Sequence, residues 1–268
     1  TSIAQIVAEE LSLPLEKVVV VTGDTDTAPW STMSVGSQTL YSLSTAAYRA
    51  CQDVKAQLGA LAARKLGADA AAIEFVDGVF RVKGKTEKVI SFADLAKSAL
   101  AFRGEGPLVG RGSVGGMPAA PTLSVSAADV EVDEETGKVK ILSFTEAQDV
   151  GLAINPMSVE GQIQGAVTQG IGWALMEGYQ FENGVVQNTT FLDYRLPTAT
   201  DVPMIDTILV EVGSSDGVYG VRHAGEPPMI PTLAAIANAV YRATGVRIKE
   251  LPMNPEAVLK AIRNRGKA

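Results

Sequence analysis

The chain has 268 residues, 46% hydrophobic and 20% charged, enough to bury a core in one large domain or two small ones. Its formal net charge is −7 and it has no basic run, which excludes the electrostatic footprint of a nucleic-acid or anionic-membrane binder. One cysteine, Cys51, and one histidine, His223, exclude a disulfide framework, and also an iron–sulfur cluster or structural zinc held by this chain alone.

In chain order, "TSIAQIVAEELSL" places Ile3, Ile6, Val7 and Leu11 at helical spacing, with Thr1 or Ser2 as the cap and Pro14 as the stop. "KVVVVTG" reads as a buried strand closed by Gly23. Residues 39–66 contain no proline and are rich in alanine and leucine, so they read as one long helix. "IEFVDGVFRV" is a hairpin around Asp77-Gly78, and Ser91 is the N-cap of a short helix, "FADLAKSAL". Residues 103–122 are rich in glycine and proline and mark a boundary or crossover. A phosphate-cradling loop is disfavoured there, because the segment lacks the Gly-Lys-Ser/Thr ending and no helix follows.

The second half opens with two alternating strands around a Thr136-Gly137 turn. A helix follows, "SVEGQIQGAVTQGIGWALMEG", then a hairpin around Asn183-Gly184 and an irregular "FLDYRLPTATDVP". A strand, "DTILVEV", and two helices, 231–244 and 255–263, complete the chain. Helices and hairpins mix without strict strand–helix alternation, so the expected class is α+β with two subdomains of mixed sheets and packed helices. The expected division is a first α+β subdomain over 1–105, a Gly/Pro-rich crossover over 106–122, and a second α+β subdomain over 123–268.

Several local features admit a chemical and a structural reading. Asp24 and Asp26 in "GDTDTAP" could face a metal, but the loop lacks further ligands at calcium-binding spacing and ordinary turn chemistry is favoured. Cys51 and His223 could form a thiol–imidazole pair, but Cys51 lies in an alanine-rich helical stretch where a packing thiol is favoured. Gly165, Gly170 and Gly172 lie inside a helical pattern, where several glycines require close approach of another backbone or of a ligand. "SVGSQT", residues 34–39, brings small residues and hydroxyls to a helix entry, a site suited to an anion or phosphate. Glu226 sits between Gly225 and Pro227, just before the apolar helical pattern "IPTLAAIANAVYRA". It is either an N-terminal cap favoured by the helix dipole or a general base aimed into a cavity.

Taken together, "GDTDTAPWS…GSQT", "DVGLAINPMSVEGQIQGAVTQGIGWALMEG", "FLDYRLPTATDVP" and "GEPPMIPTLAAIANAVYRATG" resemble, in this order and over nearly the whole chain, the molybdenum hydroxylases. These are the relatives of xanthine dehydrogenase, aldehyde oxidoreductase and aerobic carbon monoxide dehydrogenase. The match is to the C-terminal part of the molybdopterin-binding large subunit. The resemblance implies an oxidoreductase that oxidises an aldehyde, an N-heterocycle or a similar small substrate with water-derived oxygen. The cofactor would be molybdenum on a molybdopterin, in the cytosine dinucleotide form. A glutamate of a Gly-Glu motif acts as base, which by position is Glu226. Gly36, Ser37, Gln38 and Thr39 fall on the stretch that lies beside the cofactor, and Gly225 on a position close to the metal. No metal ligand is assigned to this chain.

Two departures stand out. Many relatives carry arginine where Gln38 stands, and Lys-Gly-Val-Gly-Glu is common where this chain has Arg222-His223-Ala224-Gly225-Glu226. His223 is then either a supporting or surface imidazole or a residue that contacts substrate or tunes Glu226. The chain also opens after the position where the family places a Gly-Gln-Gly cofactor motif. The resemblance therefore implies an upstream half of the subunit as partner, with iron–sulfur clusters and FAD on partner chains or domains, in a cytoplasmic complex without a membrane span. The rival expectation is a cofactor-free fragment or assembly module, inactive without that upstream half.

Overall fold

The computed structural model describes residues 1–102 and 104–265, so Arg103, the first residue of the Gly/Pro-rich segment, lies outside the described residues. The chain divides into two units. The first comprises Thr1–Ala119 with Ser215–Tyr219, and the second Ala120–Ser214 with the chain from Gly220 onward.

The first unit is built on a long helix. α1 (Ser2–Leu11) buries Ile6 and Leu11 and ends at Ser12, a left-handed cap. α2 (Thr39–Leu66) ends at Gly67, whose φ of 60° supplies the left-handed conformation that closes a helix. β1 (Ile73–Val76), β2 (Val79–Val82) and β3 (Val89–Ser91) form an antiparallel sheet in that order, turning at Asp77-Gly78. α3 (Phe92–Ala99) follows, with the Ser91 hydroxyl accepting the Asp94 N–H at 3.0 Å. The core is Leu58, Leu61 and Ala62 of α2 with Phe80, Leu95 and Ala99. The Gly/Pro-rich segment runs along α2: Val109 O accepts from Gln57, the Arg111 N–H donates to Asp53, and Ser113 O accepts from Arg49. Gly112 permits this close passage, since a Cβ there would run into the Ala46 carbonyl.

Residues 17–23 differ from expectation. No strand forms there, and Val19 and Val21 are 83% and 70% exposed. The valine run meets the propensity rule, but a strand needs a ladder partner, and none is present among the described residues.

The second unit packs helices on one face of a mixed sheet. β4 (Ser124–Val132) pairs antiparallel with β5 (Val139–Asp149), and β5 pairs parallel with β8 (Ile205–Val210). A bulge at Asp129/Val130 shifts the phase of β5, so that Ile141 and then Phe144, Glu146 and Gln148 are the buried positions. α4 (Pro156–Leu175) and α6 (Pro255–Arg263) begin alike: Asn155 and Asn254 accept the N–H three residues on, and proline takes the first helical position. β6 (Phe181–Glu182) and β7 (Val185–Val186) are the small hairpin at Asn183-Gly184. α5 (Met229–Thr244) crosses α4 at Gly170, where a Cβ would lie 2.6 Å from Thr232 Cγ2. Ile163, Val167 and Ile171 of α4 meet Ile236 and Val240 of α5, Phe144, Ile205, Met253 and Val258 in one core.

Candidate cofactor and active site

In the first unit, Gly36 and Ser37 both adopt positive φ, 64° and 55°, immediately before α2. Positive φ is uncommon for a non-glycine residue and marks a turn held for a reason. Gln38 is the N-cap of α2, and its side chain makes no capping hydrogen bond. Thr39 begins the helix, and its hydroxyl donates to Ser34 Oγ at 2.8 Å. Gly36 and Thr39 are exposed, and Ser37 and Gln38 are half-buried. The four residues thus form one tight turn into the start of a 28-residue helix, where backbone donors and the helix dipole favour an anionic group.

Asp24 accepts the Asp26 N–H at 2.9 Å and, through its carbonyl, the Ala28 N–H at 2.8 Å, so this pair caps its own turn. No group of three or more His, Cys, Asp or Glu residues positioned to hold a metal ion exists among the described residues. Cys51 is buried against α1, and burial, reinforced by Glu10, pushes its thiol above the ordinary range, which suits packing rather than nucleophilic work.

In the second unit, Glu226 is exposed and precedes α5 by three residues. The N-cap of α5 is Pro228, and no side chain makes the capping hydrogen bond. The backbone carbonyl of Glu226, not its side chain, accepts the Met229 N–H at 3.1 Å. The main chain of Glu226 thus closes the entry to α5. Gly225 and His223 beside it are half-buried. Burial lowers the affinity of His223 for a proton, and the nearby Glu226 carboxylate opposes this. The imidazole is thus biased toward its neutral form at neutral pH.

The strap leading to Glu226 is fastened to the edge of the sheet. The Arg222 N–H donates to Val150 O at 2.9 Å. Its guanidinium donates to Val212 O at 2.8 Å and pairs with Asp149 Oδ2 at 3.1 Å, both partners being mostly buried. The same Asp149 accepts N–H groups of Gly151 and Val212. Gly151 (φ 62°) lets the strap lie flat, because a Cβ there would meet the Gly220 carbonyl. Sequence reasoning did not mark Asp149, Gln148 or Thr122 for this role. The available signal was polar residues in "FTEAQD" falling in phase with buried Phe144.

Residues 1–203 match the model of the molybdopterin cofactor-binding domain. The chain belongs to that family. It is 36% identical to the xanthine dehydrogenase molybdenum-binding subunit of Escherichia coli O157:H7, over 96% of this chain and 35% of that subunit. It is 34% identical to the 6-hydroxypseudooxynicotine dehydrogenase complex subunit gamma of Paenarthrobacter nicotinovorans, over 100% of this chain and 35% of that one. Its fold matches the solved reconstituted CO dehydrogenase from Oligotropha carboxidovorans with a TM-score of 0.89 and 28% identity, covering 100% of this chain and 34% of that chain. The chain thus spans about a third of the length of the relatives it matches.

Proposed function

We propose that this chain is the portion of a molybdenum-dependent hydroxylase large subunit that carries the catalytic base, Glu226. The observation that carries the reading is the carboxylate itself: exposed, one residue past a glycine, and on an anchored strap. The turn at Gly36–Thr39 fits an anionic pterin group, because it offers small residues and an α2 start that the Gln38 side chain does not cap. Gly36, Ser37, Gln38 and Thr39 would hold the pterin, and Gly225 would leave room beside the metal. The bound cofactor supplies the redox chemistry and the water-derived oxygen. Glu226 takes the proton released as that oxygen is transferred to an aldehyde or N-heterocycle carbon.

The remaining cofactors belong to other parts of the assembly. An iron–sulfur cluster requires about four cysteine thiolates, whereas this chain has only Cys51. Electron transfer to iron–sulfur and FAD partners, and an upstream half that completes the cofactor site, are therefore part of the proposal. The pterin of this proposal carries a cytosine dinucleotide, as the resemblance of the sequence implies.

In the assembled enzyme, Glu226→Gln is expected to lower turnover by at least about 10²-fold, the size of a lost general base, with molybdenum content unchanged by elemental analysis. Retained turnover would remove Glu226 from the role. An assembled complex without molybdenum would overturn the cofactor assignment itself.

A further inference from the structure

Gln148 is fully buried, on the same face of β5 as Phe144 and Glu146. Its Nε2 donates to His223 O at 3.0 Å and to Ala224 O at 3.3 Å. The Thr122 hydroxyl donates to the same His223 carbonyl at 3.1 Å. The two carbonyls that Gln148 grips are those immediately before Gly225 and Glu226. A buried carboxamide is costly unless its hydrogen bonds are made, and an aliphatic side chain at this position would continue the apolar face begun by Phe144. Among the described residues its Nε2 donates only to this strap, while its Oε1 has no partner, and upstream the strap is already held by Val221, which is buried, and by Arg222. What Gln148 adds is a fixed position for the two peptide groups that lead into Gly225, the residue before the carboxylate.

We propose that Gln148 is a positioning residue for Glu226, setting through the backbone of His223 and Ala224 where that carboxylate stands. The proposal rests on Glu226 being the base. A catalytic group displaced by about 1 Å loses about 10²-fold in rate, so an anchor two residues away has kinetic weight without touching substrate.

The test uses the assembled, molybdenum-loaded enzyme. Gln148→Met keeps the length and volume of the side chain and removes both donors. Amide hydrogen exchange over 221–228 is expected to accelerate about tenfold, as loss of two neutral hydrogen bonds implies, while exchange in α4 and α5 is unchanged. The kcat is expected to fall by about 10²-fold, with KM and molybdenum content unchanged. Thr122→Val, at a half-buried site that tolerates an isosteric change, is expected to show a smaller effect of the same kind and reads the strap independently if Gln148→Met fails to assemble. Unaltered exchange over 221–228, or faster exchange with full kcat, would overturn the proposal. If Glu226→Gln keeps its turnover, the base assignment fails, and the exchange data still report whether Gln148 fixes the strap.

Discussion

At the scale of single residues, the buried acid beside Gln148 makes a pH-dependent contribution. Glu146 is fully buried. Burial raises its carboxyl above the ordinary range, and its hydrogen bond from Ser126 pulls the other way. Its Oε1 has no hydrogen-bond partner among the described residues. A group whose folded pKa is raised favours the folded state fully below its unfolded pKa, and loses that contribution as pH rises through the folded value. Glu146→Gln, which cannot ionise, is therefore expected to match the parent in stability near pH 4 and to exceed it increasingly as pH rises toward 7. Thermal unfolding across that range measures the difference, and a constant offset at all pH values would contradict it. Glu226 shows how far a residue can be read alone. Its neighbours Gly225, Pro227 and Pro228 were visible in the sequence, but whether the carboxylate capped α5 was not. That depends on where the helix begins, and the first helical residue is Met229, placed by Pro228 at the cap.

At the scale of elements, most of what the sequence shows is local. The Asp77-Gly78 and Asn183-Gly184 turns, the Ser91 cap and the 39–66 helix all follow from neighbours within a few residues, and all stand in the structure. The glycines of α4 show where local reading stops. Gly170 meets Thr232 of α5, and Gly172 lies 3.0 Å from Pro197 Cδ for an added Cβ, so both serve packing, whereas Gly165 faces open space. The sequence pattern is the same for all three, and only the tertiary neighbours separate them: α5 at Gly170, Glu177 and Pro197 at Gly172, none at Gly165. Opposite outcomes are expected for substitution. Gly170→Val is expected to destabilise by about 1–3 kcal/mol, because two packed helices would have to separate. Gly165→Ala is expected to stabilise by up to about 1 kcal/mol through helix propensity. Chemical denaturation of the two variants decides, and equal effects would mean that the α4–α5 crossing is not tight at Gly170.

At the scale of the whole molecule, the order of motifs along the chain carried the family, while their meeting in space could not be read from any one of them. The strap that anchors Glu226 is an example: Thr122 lies just before β4 and Gln148 and Asp149 at the end of β5, far upstream of it, at polar positions that alone hinted at a task. The misread strand at Val18–Val21 is the converse. Its four valines have the propensity for a sheet, yet Val19 and Val21 stand exposed without a ladder, in a chain that spans about a third of its relatives. Exposed, apolar and unpaired backbone of this kind is a template for another strand. If the proposed upstream half completes the subunit, that half is where the partner strand belongs. Amides of residues 19–22 are then expected to exchange with solvent at near-unprotected rates in this chain alone, and to gain at least about 10²-fold protection in the complete subunit, as ladder hydrogen bonds form. A Val20→Pro substitution, which removes an N–H from such a ladder, is expected to leave the isolated chain's stability within about 0.5 kcal/mol while weakening assembly. Equal exchange in the two contexts would show that this segment is a loop in the complete subunit as well.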